Sequence, residues 1–468
     1  MNMPSPPPQC PAHGLGPDSL QRLHGPDAQR DPMALYEKLR AEHGAVAPVL
    51  VHGDLPAWLV LGHNENLEVA RNPGRFARDP RTWRAAQEGT VIPADHPLGP
   101  MVTWWPVINF NDGPVFERLR GAVLDSLQRF DRRGVRRYVT RFAHQLIDDF
   151  VAHGRADLVA EFSSQLPMLV ATQLVGAPEE HGPKLVQAVR DMLQGTESAL
   201  ASDEYVTTTL YQLVENKKAA RGHDLTSWLL DHHADLTDVE VLAHIRVVLV
   251  AAYETTANLI ANTLRMVLTD DRFRASLSGG RMTLPDALEQ VLWDQPPLNT
   301  ILGRWATADT VLGGQQIKGG DMLLLGLAAG NVDPEIRPDL AQPVHGNRSH
   351  LAFSAGPHEC PGQDIGRAIA DTGIEALLSR LPDIELSVDD SALKRRGTLM
   401  SQHLEELPVT FTPQRPGGGT PAGHPGPGPE QPPVTSHSPD GVPAASRSQS
   451  PAGLRNLWPW LGRLFRRR

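Results

Sequence analysis

The chain has 468 residues, of which 40% are hydrophobic and 21% charged, a composition typical of a globular protein large enough for two or more domains. A net charge of −10 gives the whole chain no general attraction for nucleic acid. Two cysteines cannot build a disulfide framework or a four-thiolate zinc site, and the default expectation is a reducing cytoplasm.

The N-terminal part of the chain predicts an arm followed by a folded domain. Residues 1–30 are rich in proline, and their start, MNMPSPPPQCPAHG, has neither the basic nor the apolar region of a signal peptide. Residues 31–413 show helical and strand periodicity throughout. The first predicted helix begins at the cap Asp31 and ends at Gly44, and PAWLVLGHNE then predicts a short strand.

One long helix dominates the middle of the chain. Thr237 and Glu240 have the spacing of a capping box, and the residues that follow are apolar on almost every side for about 30 positions. Arg246, Glu254 and Arg265 interrupt the run and argue against a membrane span. The pattern therefore predicts the central helix of a large helical domain, with short strands following at TVLGGQQI, DMLLLGLAA and LPVTFTP.

The C-terminal part changes composition twice. Residues 414–453 are mostly Pro, Gly and Ser, which predicts a disordered linker. Residues 454–468, LRNLWPWLGRLFRRR, hold five arginines, two tryptophans and no acidic residue. Such a tip suits the surface of an anionic membrane, although Pro459 breaks a continuous helix. An unstructured, adhesive end is the alternative.

One of the two cysteines lies in the unusual loop LAFSAGPHECPG, from Leu351 to Gly362. A free cysteine is commonly a small buried hydrophobe. Here Gly356 and Gly362 bracket Cys360, a proline stands next to each glycine, and an apolar helix is predicted to begin directly afterwards. The N-terminus of that helix favours a thiolate, so the loop is expected to present a thiolate to something large and flat.

The loop fits the pattern F-x-x-G-x-[HR]-x-C-x-G, through Phe353, Gly356, His358, Cys360 and Gly362. It resembles the haem-ligand signature of the cytochrome P-450 superfamily. Three further stretches resemble the same family: AAYETT in the long helix, AAGNVDPE after it, and DGPVFERLR before it. The resemblance covers about residues 30–413 and implies the cytochrome P-450 fold, mainly α with a small β region, holding haem b through the Cys360 thiolate.

The resemblance also implies roles for residues around the haem. Thr255 and Glu254 would deliver protons on the distal side, with Ala252 beside the oxygen pocket, although a helical threonine also often bonds the carbonyl four residues back. Arg120, Arg304 and His358 would donate to the haem propionates; ordinary surface ion pairing is the alternative for Arg304.

The family's E-x-x-R motif is replaced in this chain. Gln290 and Trp293 stand at its two positions in ALEQVLWDQPP, and Gln342 stands where its third partner, an arginine, is expected. The text resembles an actinobacterial subgroup that reads EQ-x-L-W. Joint replacement of an ion network by neutral groups can be nearly neutral in energy. A shift of register to Glu289 does not restore the motif, because Leu292 follows three residues later.

Two further departures lie near the expected haem. Phe116 replaces a histidine that binds a propionate in the family, and Ala252 replaces a glycine, while Tyr253 stands where histidine is common. These changes predict a less firmly tethered haem.

The predicted function is a cytoplasmic haem-thiolate monooxygenase that inserts one oxygen atom of O₂ into a small apolar substrate. Its electrons would come from a ferredoxin and its reductase. The alternative is a weakly active or inactive haem-binding protein with a regulatory or scaffold role beside a signalling module. In either case residues 454–468 are candidates for peripheral contact with the inner face of the membrane.

Overall fold

The computed structural model describes residues 20–89, 96, 98–194, 198–270, 273, 283–344 and 346–417. Residues 1–19 of the predicted arm, residues 418–453 of the predicted linker and the whole tip at 454–468 lie outside the described residues.

Helices form most of the described chain, as the long apolar periodicity predicts. They are α1 (Pro26–Arg30), α2 (Pro32–His43), α3 (His63–Arg71), α4 (Arg84–Gln87), α5 (Gly99–Val102), α6 (Gly113–Gln128), α7 (Arg132–Phe150), α8 (Leu166–Val175), α9 (Gly182–Gln194), α10 (Ala199–Ala219), α11 (Leu225–Leu230), α12 (Asp238–Thr269), α13 (Leu284–Asp294), α14 (Leu327–Asn331) and α15 (Gln363–Arg380). The prediction of a mainly α protein with a small β region is confirmed.

The strands are short and gather beside the helices. They are β1 (Gln21–Arg22), β2 (Val46–Val51), β3 (Leu55–Val60), β4 (Phe76–Ala77), β5 (Arg155–Asp157), β6 (Ile301–Ala306), β7 (Thr310–Leu312), β8 (Gln315–Ile317), β9 (Met322–Leu325), β10 (Glu385–Leu386), β11 (Arg395–Gly397), β12 (Gln402–Leu404) and β13 (Pro408–Thr410). The largest sheet has the order β1-β2-β3-β9-β6-β4. The smaller ones pair β10-β13-β5, β11-β12 and β7-β8.

Local signals set the ends of several elements where the sequence predicts them. The Asp31 carboxylate accepts a hydrogen bond from the Ala34 amide at the start of α2, and Gly44 caps its end. At the start of α12, Thr237 and Glu240 form both hydrogen bonds of the capping box. These polar caps satisfy amide groups that a helix leaves free, so they begin a helix at one residue rather than another.

Helix α12 runs through the middle of the core. It is 32 residues long, and its side chains belong to two large apolar clusters, one shared with α7, α8, α13 and α15 and one shared with α6 and α8–α11. By length and composition it is the one helix among the described residues that could cross a membrane, and 61% of its most apolar window is buried inside the protein. Burial among neighbouring helices accounts for its apolar character, as expected for a core helix.

Candidate functional site

The cysteine loop is held in place by its backbone. The Cys360 amide donates to the Phe353 carbonyl at 2.9 Å, and the Glu359 amide donates to the Gly356 carbonyl at 3.0 Å. Gly356 has φ of +70°, and a Cβ there would lie 2.5 Å from the Ala70 carbonyl oxygen at the end of α3. Only glycine fits here, because any side chain would collide with the backbone of α3. This close approach holds the loop against α3.

Cys360 lies directly before α15 and keeps part of its surface accessible. Burial raises the pKa of its thiol, and this outweighs the opposing effects of the Gly362 backbone amide and of Arg120. The Gly362 amide at the start of the helix acts in the predicted direction and lowers the pKa of the thiol, but desolvation by burial is the larger effect in the protein chain alone. Coordination to a metal ion deprotonates a thiol outright, so a bound metal ion would stabilise the thiolate more than the protein dipoles do.

Helix α12 presents an accessible strip to the side of the loop. Ala251 is exposed and Thr255 is half-buried, although most of the residues that follow in the helix are fully buried. A Cβ at Gly366, in the second turn of α15, would lie 3.8 Å from Thr256 Oγ1, so the two helices approach each other beside this strip. The Thr255 hydroxyl donates to the Ala251 carbonyl at 2.7 Å, which is the back-bonded geometry that the sequence left open.

The other two predicted distal residues have different surroundings. The Glu254 carboxylate is half-buried and accepts a hydrogen bond of 2.7 Å from the hydroxyl of Ser401, which is itself 1% exposed. Ala252 is half-buried against the apolar cluster that includes Tyr253. Its methyl group therefore tightens the packing of α12 against that cluster.

The basic residues next to the loop are unusually buried. Arg304 is 3% exposed, and no hydrogen bond or ion pair reaches its guanidinium from the described part of the chain. Burial first, and the neighbouring Arg78 second, hold the pKa of Arg304 well below its usual range. A bulge in β6 at Gly303, where φ is +96°, changes the register just before Arg304 and sets its direction. Surface ion pairing of Arg304 is therefore excluded.

A second buried arginine lies beside Arg304. Arg78 donates to the backbone carbonyls of Asn109, Leu302 and Gly303, and burial lowers its pKa to about 10. No sequence motif indicates Arg78, because it lies outside every stretch that resembles the family and reaches the site only through the fold.

His358 and Phe116 form one unit on the same side. The imidazole Nε2 donates to Asp112 Oδ1 at 3.1 Å, and burial lowers the pKa of His358 to about 4 despite that hydrogen bond. The Phe116 ring packs against the imidazole with their centroids 4.1 Å apart. Phe116 thus removes a donor, as predicted, but it also fixes the orientation of the histidine that remains.

Arg120 reaches the loop from α6. Its guanidinium donates to the Glu359 carbonyl at 2.5 Å, next to Cys360. Burial lowers the pKa of Arg120, partly opposed by the proximity of Cys360 and Glu359.

The charges of this region fit a bound dianion such as a haem with its two propionates. Two guanidinium groups, on Arg78 and Arg304, are buried beside a single carboxylate, Asp112, which is already bonded to His358 and to two backbone amides. A buried charge without a partner is costly, so this excess of positive charge calls for an anion from outside the chain. The free cysteine Cys360 lies in the same loop, two residues after His358 along the chain.

The region that replaces E-x-x-R differs from the prediction in one member. Gln290 and Trp293 are each 2% exposed and bond to the segment before the cysteine loop: Gln290 Oε1 accepts from the Val344 amide, and Trp293 Nε1 donates to the Asn347 carbonyl at 2.8 Å. Gln342 is exposed and bonds to Asp339 instead. The placement of Gln342 in this network was wrong, because the segment folds outward there.

Glu289 carries a charged network that the sequence did not predict. It is 4% exposed and accepts hydrogen bonds from His350 at 3.1 Å and from Arg367 on α15 at 2.9 Å. The Arg367 guanidinium also lies 4.5 Å from the centre of the Phe353 ring. These partners lie 61 and 78 residues further along the chain, so no spacing within the helix indicates them.

Comparisons with known proteins agree with this geometry. No family model matches the chain. The cytochrome P-450 monooxygenase PikC of Streptomyces venezuelae is 30% identical over 83% of this chain and 92% of its own length. A cytochrome P-450 140 of Mycobacterium bovis is 31% identical over 83% of this chain and 91% of its own length. The solved structure of CYP154C4 from Streptomyces sp. ATCC 11861 has a TM-score of 0.75 at 28% identity and covers 84% of this chain and 98% of its own.

Fold, site and relatives define a haem-thiolate oxidoreductase. The chain belongs to the cytochrome P-450 superfamily and is a monooxygenase of that class. Its cofactor is haem, whose iron is ligated by a cysteine thiolate.

Proposed function

We propose that the chain inserts one oxygen atom of O₂ into a small apolar substrate, with electrons delivered by a ferredoxin and its reductase. The observation that carries the proposal is the joint presence of a free, half-buried cysteine, Cys360, and of a buried guanidinium without a hydrogen-bond partner in the described chain, Arg304, which lies near His358. This set matches the two needs of a haem, a thiolate for the iron and cations for the propionates.

Each residue of the site has a defined task in this proposal. Cys360 binds the iron, and its thiolate supplies the electron density that favours cleavage of the O–O bond when haem is bound. Arg304 and Arg120 bind and orient propionate oxygens through charge-assisted hydrogen bonds. His358 donates its Nε2–H to Asp112 and packs against Phe116, so in the neutral imidazole the other nitrogen is an acceptor, and the residue orients Asp112 and the loop rather than binding a propionate. Phe353, Gly356 and Gly362 shape the loop around the thiolate.

In this proposal, Glu254 and Thr255 deliver protons on the distal side of the haem. The Glu254 carboxylate is held by the Ser401 hydroxyl, and Ser401 is in turn 3.0 Å from the hydroxyl of Thr398. These hydroxyls form a short chain that ends at the carboxylate and so orients it. Rotation of Thr255 away from the Ala251 carbonyl frees its hydroxyl for a bound ligand, at the cost of one hydrogen bond of about 1 kcal/mol.

Two relatives support an apolar substrate. The solved structure of the myxobacterial CYP267B1, 26% identical with a TM-score of 0.72, is a complex with myristic acid. The Streptomyces carzinostaticus relative, 28% identical over 79% of this chain, is a 2-hydroxy-5-methyl-1-naphthoate 7-hydroxylase. The alternative of a haem-binding protein without turnover finds no support in these relatives.

We also propose a cytoplasmic location with peripheral contact through residues 454–468. The matched test is deletion of residues 418–468, because Gly417 still donates to Asp148 at 2.9 Å and Gln414 to the Arg380 carbonyl at 2.9 Å, so these contacts stay intact. The full chain is expected to sediment with anionic vesicles and the shortened chain to remain in solution. Equal sedimentation of both would exclude the contact.

Turnover is tested with isotopically labelled O₂. The purified protein, a ferredoxin, its reductase and a panel of fatty acids and aromatic acids are mixed with NAD(P)H. The expected product carries one labelled oxygen atom, and its formation is abolished in Cys360→Ala. Haem-loaded protein that consumes no NAD(P)H above the Cys360→Ala background with any member of the panel would favour the non-catalytic alternative.

A further inference from the structure

Helix α13 needs a firm connection to the cysteine loop, and this chain builds it from an unusual set of side chains. Gln290 and Trp293 are fully buried on α13 at the two positions where the family resemblance expects a glutamate and an arginine. Neither carries a charge. The next residue, Asp294, carries a negative charge, and its carboxylate lies between Gln290 and an arginine from another segment.

That arginine is Arg337, and it completes a cluster of four side chains. Its Nη1 donates to Asp294 Oδ1 at 2.8 Å, while Gln290 Nε2 donates to Asp294 Oδ2 at 2.6 Å, so both carboxylate oxygens are satisfied. The Arg337 side chain is 8% exposed, and its guanidinium lies 5.3 Å from the centre of the Trp293 ring. A buried arginine that is paired and also stacked on an aromatic ring is firmly oriented.

The cluster is tied to the chain that leads into the cysteine loop. Arg337 Nη2 donates to the Leu340 carbonyl, the Val344 amide donates to Gln290, and Trp293 donates to the Asn347 carbonyl. Two of these bonds join the segment directly to α13, and the third joins it to Arg337, which Asp294 of α13 holds; all three lie a few residues before the loop begins at Leu351. From there the Glu289–His350 hydrogen bond continues the connection on the neighbouring face of the helix.

We propose that the ion pair Asp294–Arg337, stacked on Trp293 and bonded to Gln290, performs the anchoring of the cysteine loop that a charged pair at positions 290 and 293 would otherwise perform. The acidic residue of this pair lies at position 294 of the helix, and its arginine partner, Arg337, comes from a segment outside α13. These four are positioning residues, because they act on Cys360 only through the backbone of residues 340–350. The inference rests on the proposed role of Cys360 as the haem ligand.

The chain offers a closely matched control pair. Arg380 and Asp148 form an ion pair of 3.1 Å whose side chains are 5% and 34% exposed, against 8% and 32% for Arg337 and Asp294. Arg380 lies at the far end of α15 from Cys360. Loss of either pair is therefore expected to cost similar stability, while only one of them positions the loop.

The experiment compares Asp294→Asn with Asp148→Asn as haem-loaded full-length proteins. After reduction and addition of CO, the fraction of haem with the red-shifted Soret band of a thiolate-ligated complex is measured, together with thermal unfolding. Asp294→Asn is expected to lower the thiolate-ligated fraction at least about 3-fold, whereas Asp148→Asn leaves it as in the wild type although both unfold at lower temperature. Arg337→Lys, which keeps the charge, is expected to retain more of that fraction than Arg337→Gln.

Three results would overturn the inference: an unchanged thiolate-ligated fraction in Asp294→Asn, an equal loss in Asp148→Asn, or no difference between the Lys and Gln variants of Arg337. If a variant does not fold, the double variant Asp294→Asn with Arg337→Gln decides instead, because joint neutralisation leaves no unpaired buried charge. That double variant is expected to fold with a lowered fraction, and a wild-type fraction in it would refute the inference. Failure of the proposed function would look different, since the wild type itself would then lack the thiolate band.

Discussion

At the scale of single residues, two glycines of the cysteine loop differ sharply in what they allow. A Cβ at Gly356 would lie 2.5 Å from the Ala70 carbonyl oxygen and 2.9 Å from Arg71 Cα, and its φ of +70° disfavours any side chain. A Cβ at Gly362 would meet no protein atom within 4 Å, and φ there is −101°. The two glycines occupy similar places in the sequence pattern, but the structure requires glycine only at Gly356.

These constraints predict unequal effects of substitution by alanine. Gly356→Ala is expected to destabilise the protein by about 3 kcal/mol or more, because both the clash with α3 and the backbone conformation oppose it. Gly362→Ala is expected to change the free energy of unfolding by less than about 1 kcal/mol. Chemical denaturation of both variants measures the difference, and equal effects would contradict the close approach to α3.

Replacing Arg304 is expected to stabilise the haem-free protein but to weaken haem binding in the loaded protein. Its buried guanidinium lacks a partner within the described chain, so replacing it with glutamine is expected to stabilise the haem-free protein. In the haem-loaded protein the same change is expected to remove a charge-assisted hydrogen bond of about 1.5–3 kcal/mol, which corresponds to about 10- to 150-fold faster haem loss.

Transfer of haem to excess apomyoglobin measures that rate. Arg81→Gln is a suitable control, because Arg81 is an exposed arginine paired with Asp79. Haem loss from Arg304→Gln at the rate of the Arg81 control would show that Arg304 does not bind a propionate.

At the scale of elements, the hairpin of β11 and β12 reaches the long helix through Ser401. We expect Ser401→Ala to lower product formation about 5-fold, as the loss of one hydrogen bond of about 1 kcal/mol would, by leaving the Glu254 carboxylate free to turn. Ser401→Thr keeps the hydroxyl and should restore most of the activity.

The readout that separates this effect from a general loss of structure is the ratio of product formed to NAD(P)H consumed, with the CO spectrum as a check on the haem. A lower ratio with an unchanged spectrum is the expected result. An unchanged ratio in Ser401→Ala would remove Ser401 from the path of proton delivery.

The predictability of the elements follows from the range of the interactions that define them. Helices α2, α12 and α15 could be predicted because their caps and apolar faces lie within a few neighbouring residues. The pairs Asp294–Arg337 and Glu289–Arg367 join residues 43 and 78 positions apart, and Ser401 meets Glu254 across 147 positions. No periodicity encodes such contacts, so the haem ligand could be named from its motif while its supports could not.

At the scale of the whole molecule, stability should depend on pH through a histidine outside the cysteine loop, His52, at the turn between β2 and β3. The pKa of His52 is lowered from 6.5 to about 4, mainly by burial and to a smaller extent by the nearby His24 and His96. Between these two values the unfolded chain binds the proton and the folded chain does not. The free energy of unfolding therefore falls as the pH decreases from about 6.5 toward about 4.

His52→Gln is expected to flatten this part of the pH profile. The exposed His153 provides the control, and His153→Gln should leave the slope unchanged. Denaturant midpoints measured at several pH values across the window report the slope. A slope in His52→Gln as steep as in the wild type would show that other groups cause the acid sensitivity.

The whole molecule also shows how α13 stays well packed with two neutral residues at the positions where the resemblance expects a charged pair. Neutral Gln290 and Trp293 are completely buried and fully bonded, and the charges are carried by residues beside them. The hydrogen bonds of these side chains leave Gln290, Trp293 and Asp294 each with a partner, as expected of a well-packed site.

The central claim is that Cys360 binds haem iron as a thiolate, and the spectrum of the reduced protein with CO tests it most directly. The wild type is expected to show the red-shifted Soret band of a thiolate-ligated complex, and Cys360→His should bind haem without that band. A band at the ordinary position in the wild type, or no haem band at all, would contradict the account.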